Sequence, residues 1–299
     1  QQLGGEQPVL QLPVDHARPA VSSGQGAALS FSLSGTVSER LKQLAVETST
    51  TPFMVLLAAF QALLYRYSGQ SDLRIGIPVA NRSRIETEAV VGFFVNTLVL
   101  RGDCRDELNF LQLLAQVKQT VLGAQDHPDL PFEHLVELLQ PQRSLNRNPL
   151  FQVMMNHQKR DLSVLKTLPG LAVERIGREA DAAQFDLSLV TEEDENGSIT
   201  GNWVYAAELF ESETMARLSR HFLSLLEQWL AQPEQLLVNI GLLTAAERSQ
   251  LNAWNATPRD YPANLVHQLI SQQALIRPDA VALAFGEQTL SYAELESRA

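Results

Sequence analysis

With 299 residues, 45% hydrophobic content and a net charge of −11, the chain is long enough to bury at least one full core, and two domains lie within its length. No apolar run reaches the roughly 18 to 20 residues of a membrane span, the nearest being PFMVLLAAFQALLYRY (52–67), which Gln61 and Arg66 break. No basic run marks a nucleic-acid surface, and the single Cys104 excludes an intrachain disulfide and points to a reducing compartment, the cytoplasm.

In chain order, AALSFSL (27–33) alternates as a half-buried strand, and Thr36 with Glu39 forms a capping box opening a helix through ERLKQLAVE. A second, buried helix has Thr51 as N-cap, Pro52 at its first position and Gly69 beyond its end. LRIGIPVANR is a strand whose Pro78 belongs at an edge or a strand end. VGFFVNTLVLR (91–101) reads as a core strand entered through Gly92, with Phe94, Asn96, Leu98 and Leu100 on one face. A buried Asn96 needs a hydrogen-bond partner there, either local backbone or the lining of a cleft.

Helices follow at 107–125 and in PFEHLVELL, then strands at 150–158, 171–177, 185–193 and 199–208, and a helix over SETMARLSRHFLSLLEQWL. The fold class is α/β in the α+β sandwich sense, with helices on a mixed or antiparallel sheet. Near residue 235 the chain becomes rich in Pro, Asn and Gln, as a connection between domains does. Beyond it come a helix, a strand, a Gly-Glu turn, a strand end and a helix, too little for a core and so the opening of another domain. The start at Gln1 and the final helical run without a C-cap glycine read as a piece of a longer polypeptide.

No nucleophile elbow, P-loop, C-x-x-C or H-E-x-x-H is present. HPDLPFEH (127–134) gathers two histidines and two carboxylates, which suits either a metal or a plain helix start, with Asp129 ahead of a first turn holding Pro131 and Glu133. The second is preferred, and no metal is expected. In RSLNRNPLFQVMMNH, Asn148 before Pro149 is pushed toward extended backbone, and Arg143 and Arg147 are either solvated or paired across an interface.

These three stretches, in this order, strongly resemble the condensation domain of non-ribosomal peptide synthetases. VGFFVNTLVLR is similar to its fifth core motif, HPDLPFE to its sixth with Pro128 in place of Gln, and RSLNRNPLFQVM to its seventh with Ser144 and Asn146 in place of Asp and Ser. LLTAAERSQLNAWNAT resembles the family's connection into an adenylation domain, and LSYAEL (290–295) that domain's first core motif.

The resemblance implies a chloramphenicol acetyltransferase-like lobe over 1–235, a linker over 236–262 and the start of an adenylation domain over 263–299. It implies amide-bond formation between substrates tethered to phosphopantetheine on upstream and downstream peptidyl carrier domains. The catalytic H-H-x-x-x-D-G is not in this sequence and is expected upstream, in the N-terminal lobe in cis, so the fragment is expected to be inactive alone. It is expected to bind no cofactor itself; ATP and magnesium belong to the complete adenylation domain. Gly92, Phe93, Phe94, Val95, Asn96 and Thr97 would floor the substrate tunnel, while His127, Asp129, Pro131, Phe132, Glu133, Arg143, Arg147, Asn148 and Pro149 would have structural roles. Rival readings are a non-catalytic interaction module and a stand-alone acyltransferase of the same fold.

Overall fold

A computed structural model describes residues 2–5, 7–82, 85–88, 90–139, 144–160, 182–260 and 264–299. Arg143 and the strand expected at 171–177 lie outside them. The described chain divides into two compact units, Gln1–Glu247 and Arg248–Ala299.

The first unit is a six-stranded mixed sheet with strands β1 (Gly26–Ser32), β2 (Asp72–Val79), β3 (Asn96–Asp103), β4 (Val153–Lys159), β5 (Leu187–Glu193) and β6 (Ile199–Ala206). Their order is β1-β6-β5-β4-β2-β3, with β2, β4 and β5 parallel to one another and the other pairings antiparallel. Alternation puts Leu73, Ile75, Leu100, Val153, Met155, Leu187, Leu189 and Trp203 on one face, all fully buried.

That face is covered by α1 (Gly35–Glu47), α2 (Pro52–Ser68), α4 (Phe110–Gln125) and α6 (Ser212–Ala231); α3 (Ile85–Glu88) is a single turn and α5 (Phe132–Leu139) packs elsewhere. α2 is apolar all round because it has neighbours all round, the sheet on one side and α1, α4 and α6 on the others. Among the described residues no single helix is long and apolar enough to cross a membrane.

The expected punctuation of α2 is present: Thr51 accepts from Met54 N, Pro52 opens the helix, and Gly69 closes it at φ 69°. α1 differs. Its N-cap is Ser34, whose hydroxyl accepts from Val37 N, and Thr36 lies inside the first turn, so the Thr36–Glu39 capping box does not form. α4 starts three residues later than expected because Asn109 and Gln112 form a reciprocal cap there.

The unit boundary also falls later than the composition change. Leu237 and Ile240 are buried in the first core, their carbonyls accept from Arg66 at 2.9 and 2.7 Å, and Leu237 N donates to Leu108 O. Residues 236–247 therefore pack on the first unit, and α7 (Ala245–Asn255) begins there. The second unit contains α8 (Val266–Ile276), the antiparallel pair β7 (Val281–Phe285) and β8 (Gln288–Ser291), and α9 (Tyr292–Arg298), with Gly286 at φ 60° making the turn.

Candidate functional site

The run expected to be one long strand is two things. β3 starts only at Asn96; residues 91–95 leave the sheet as an arm on which Val91 is 100% and Phe93 90% exposed. Among the described residues no strand lies beside the arm, and Val91, Phe93 and Val95 stay exposed on it. Arg82 organises it instead: its guanidinium stacks 4.2 Å from the centroid of Phe94 and donates to the carbonyls of Thr87, Val90 (2.9 Å) and Gly92. Nothing in the sequence singles out Arg82, since its partners are mainly backbone oxygens.

Asn96 is half-buried, and its side chain is fully used. Nδ2 donates to the carbonyls of Pro128 (2.8 Å) and Leu130 (2.9 Å), and Oδ1 accepts from Phe132 N at 3.2 Å. All three partners are backbone groups of the turn that carries the chain from α4 to α5. One amide thus pins the sixth motif to the root of the arm. An aspartate would keep one of these bonds and set its carboxylate against two carbonyls, which is the physical reason for an amide here.

The third stretch arrives from the other side of the sheet. Val99, Val136, Leu150 and Phe151 form a second apolar cluster, on which Phe132, Met154 and Phe185 pack. Phe151 meets Phe132 edge to face at 5.5 Å and stacks on Phe185 at 5.2 Å. Leu150 has φ 69° despite its side chain, a conformation compensated by its burial in this cluster. All three motifs therefore converge on one cluster.

Around it, polar side chains of the seventh motif hold the N-terminal segment. Gln152 accepts from Leu10 N at 2.8 Å and donates to Asn148 O, and Asn148 donates to Gln184 O at 2.6 Å. Asn146 donates to Pro19 O, and Arg18 makes a two-pronged ion pair with Asp186. Ser144 donates to Asn146 Oδ1 at 2.6 Å, so both departures from the motif are engaged.

The remaining expected residues are not brought together. His127, Asp129 and Glu133 are exposed, as is Pro131, which stands one residue before α5 rather than in its first turn. Among the described residues no three His, Cys, Asp or Glu side chains converge as a metal site would require. Arg147 is exposed and makes no side-chain hydrogen bond or ion pair among them, which is the solvated one of its two expected roles.

A family model described as "Condensation domain" matches residues 1–252. The chain is 46% identical over its whole length to a component of linear gramicidin synthase from Brevibacillus parabrevis, and it covers 6% of that protein. It superposes with a TM-score of 0.77 and 27% identity on a four-domain nonribosomal peptide synthetase bound to AMP and glycine, over 96% of this chain and 23% of that one. It also superposes with a TM-score of 0.73 and 31% identity on the X-domain in its complex with OxyB from teicoplanin biosynthesis, over 81% of this chain and 53% of that one.

Proposed function

The chain belongs to the condensation-domain family, and from that premise we propose that it helps wall the channel in which two carrier-bound thioesters are joined by an amide bond. The acceptor amine attacks the donor thioester carbonyl, the C–N bond forms, the C–S bond breaks and the thiol leaves. A thioester needs little activation, so holding two tethered substrates together supplies much of the acceleration. In this reading these residues give shape, and the H-H-x-x-x-D-G histidine belongs to an N-terminal lobe in cis.

The observation that carries the reading is the triple clasp of Asn96 on the 128–132 turn at the root of an exposed apolar arm. Val91, Phe93 and Val95 are presented for a surface beyond this unit, as a segment crossing to another lobe would be. Gly92 to Thr97 are accordingly proposed as tunnel floor. Upstream and downstream carrier domains are the proposed partners, with phosphopantetheine delivering the substrates.

Residues 248–299 are proposed as the way into an adenylation domain. Leu275, Ile276, Val281 and Phe285 are 60 to 87% exposed, more apolar surface than so small a unit leaves bare without a partner surface.

The experiment is Asn96→Ala in the intact synthetase. Condensation slows while amino-acid adenylation stays near normal; equal loss of both would make Asn96 a folding residue only. A second reading, a non-catalytic interaction module, is favoured by the likeness to the X-domain solved with OxyB. It predicts that the synthetase forms no amide at this module, whichever residue stands at position 96.

A further inference from the structure

The parallel strands β2, β4 and β5 run to their carboxyl ends at Val79, Lys159 and Glu193. β4 pairs with β5 along its whole length, but with β2 only at Ile75–Val153 and Gly76–Met154. Pro78 accounts for the difference. Cys104 N donates to Ser71 O, which sets the odd-numbered residues of β2 in hydrogen-bonded pairs with β3 and turns the backbone of the even-numbered ones, Pro78 included, toward β4. Proline offers no N–H, so the ladder stops and the two strands part at their carboxyl ends. Among the described residues no strand takes β2's place beside β4 beyond Met154. The carboxyl ends of parallel strands are where open sheets bind ligands.

His157 stands on β4 at this opening. Its Nδ1 lies 2.9 Å from Thr191 Oγ1, its partner across the β4–β5 ladder, and that oxygen is also 3.3 Å from Asn156 O. A carbonyl only accepts. The arrangement that satisfies both contacts has Thr191 donating to Asn156 and His157 Nδ1–H donating to Thr191, leaving Nε2 as the unprotonated nitrogen. No described residue bonds to Nε2, and the residue as a whole is half-buried. Burial pulls the ring below the usual histidine range, against a weaker upward pull from Glu193, which favours the neutral form at pH 7. Of the other charges nearby, Lys159 lies two residues on along the same face of β4 and is exposed, and Arg160 and Glu192 pair with each other at 3.0 Å.

We propose that His157 Nε2 is a hydrogen-bond acceptor for the amine N–H of the acceptor substrate in the cleft between β2 and β4, with Thr191 as the positioning residue that fixes its tautomer. This rests on the amide-forming reading above. Accepting one N–H leaves the amine lone pair free to point at the thioester carbonyl. The nitrogen becomes more positive as the C–N bond forms, so the bond strengthens toward the transition state.

The test is single-turnover condensation by the intact synthetase across pH 5.5 to 8.5, for wild type, His157→Leu, His157→Gln and Thr191→Val, with adenylation in each preparation as the folding control. His157→Leu slows condensation roughly tenfold, the scale of one lost hydrogen bond. His157→Gln, which keeps an acceptor but does not titrate, retains more of the rate and loses one ionisation from the acid limb. Thr191→Val, close in shape, shifts that limb and slows the reaction about threefold, the lower end for one lost hydrogen bond; it decides the matter should the His157 variants fail to fold. Wild-type rates and an unchanged acid limb in the folded variants overturn the role of His157 and leave amide formation standing. A wild-type synthetase that adenylates but makes no amide at this module overturns the reading beneath it.

Discussion

The edge of the Phe151 ring lies against Gly76, so close that any Cβ at that position would overlap it. Gly76 belongs to the short β2–β4 ladder and Phe151 to the cluster where the three motifs meet. The one pair thus joins the sheet to the site.

Gly76→Ala forces the Phe151 ring aside, and overpacking of this kind costs about 1 to 3 kcal/mol. Equilibrium urea unfolding reads it as a lower midpoint. Phe151→Leu makes room, so the double variant loses less than the two single variants added together; strict additivity would mean that the contact carries no energy.

Arg82→Ala removes the stack on Phe94 and the bonds to Thr87, Val90 and Gly92 carbonyls. The arm then samples more conformations, and limited chymotrypsin digestion cuts after Phe93 or Phe94 several-fold faster than in wild type. Arg82→Lys does not restore protection, because an ammonium lacks the planar fork that bonds and stacks at once. Equal cleavage rates in all three proteins would show that the arm is ordered by something else.

Glu247 closes a relay in which Tyr67 OH lies 2.7 Å from His221 Nδ1 and His221 Nε2 lies 3.0 Å from the carboxylate. Burial pushes the Glu247 carboxyl up, but hydrogen bonds from Thr244 N, the Thr244 hydroxyl and His221 together outweigh it and hold it down to about 2. A depressed carboxyl contributes stability that is present above its unfolded value of 4.5 and is lost as pH falls toward about 2. Urea midpoints of wild type therefore drop across this window, and Glu247→Gln flattens that drop while lowering the midpoint at pH 7. Parallel curves for the two proteins would remove Glu247 from the acid transition.

Cys104 is fully buried, and burial pushes its thiol up to about 12. The native protein at pH 8 takes up no iodoacetamide over an hour, and one equivalent reacts in denaturant. Rapid native labelling, seen as a single mass addition, would contradict the packing of β3 against its helices.

Much of the architecture was legible locally. Thr51, Pro52 and Gly69 delimit α2 by rules that operate within one helical turn, and the apolar periodicity of α4 and α6 needs no partner to be read. Pro78 marked a strand end for the same reason, a missing N–H at one residue. The family was legible too, because three motifs in order are a property of the sequence itself.

What the sequence by itself determined was therefore most of the described elements, the fold class and the family. Tertiary structure alone decided that residues 91–95 leave the sheet, since alternation is the same whether or not a neighbouring strand exists to bury it. It decided that Asn96 is satisfied by a turn 32 to 36 residues away, and that α6 is capped by Asp15, which binds Glu211 N and Thr214 across 196 and 199 residues. Hydrogen bonds of that reach leave no periodic trace. A donor and an acceptor far apart in the chain meet only after the apolar faces have packed, and it is that packing that brought Asn96, Arg82 and His157 to their partners.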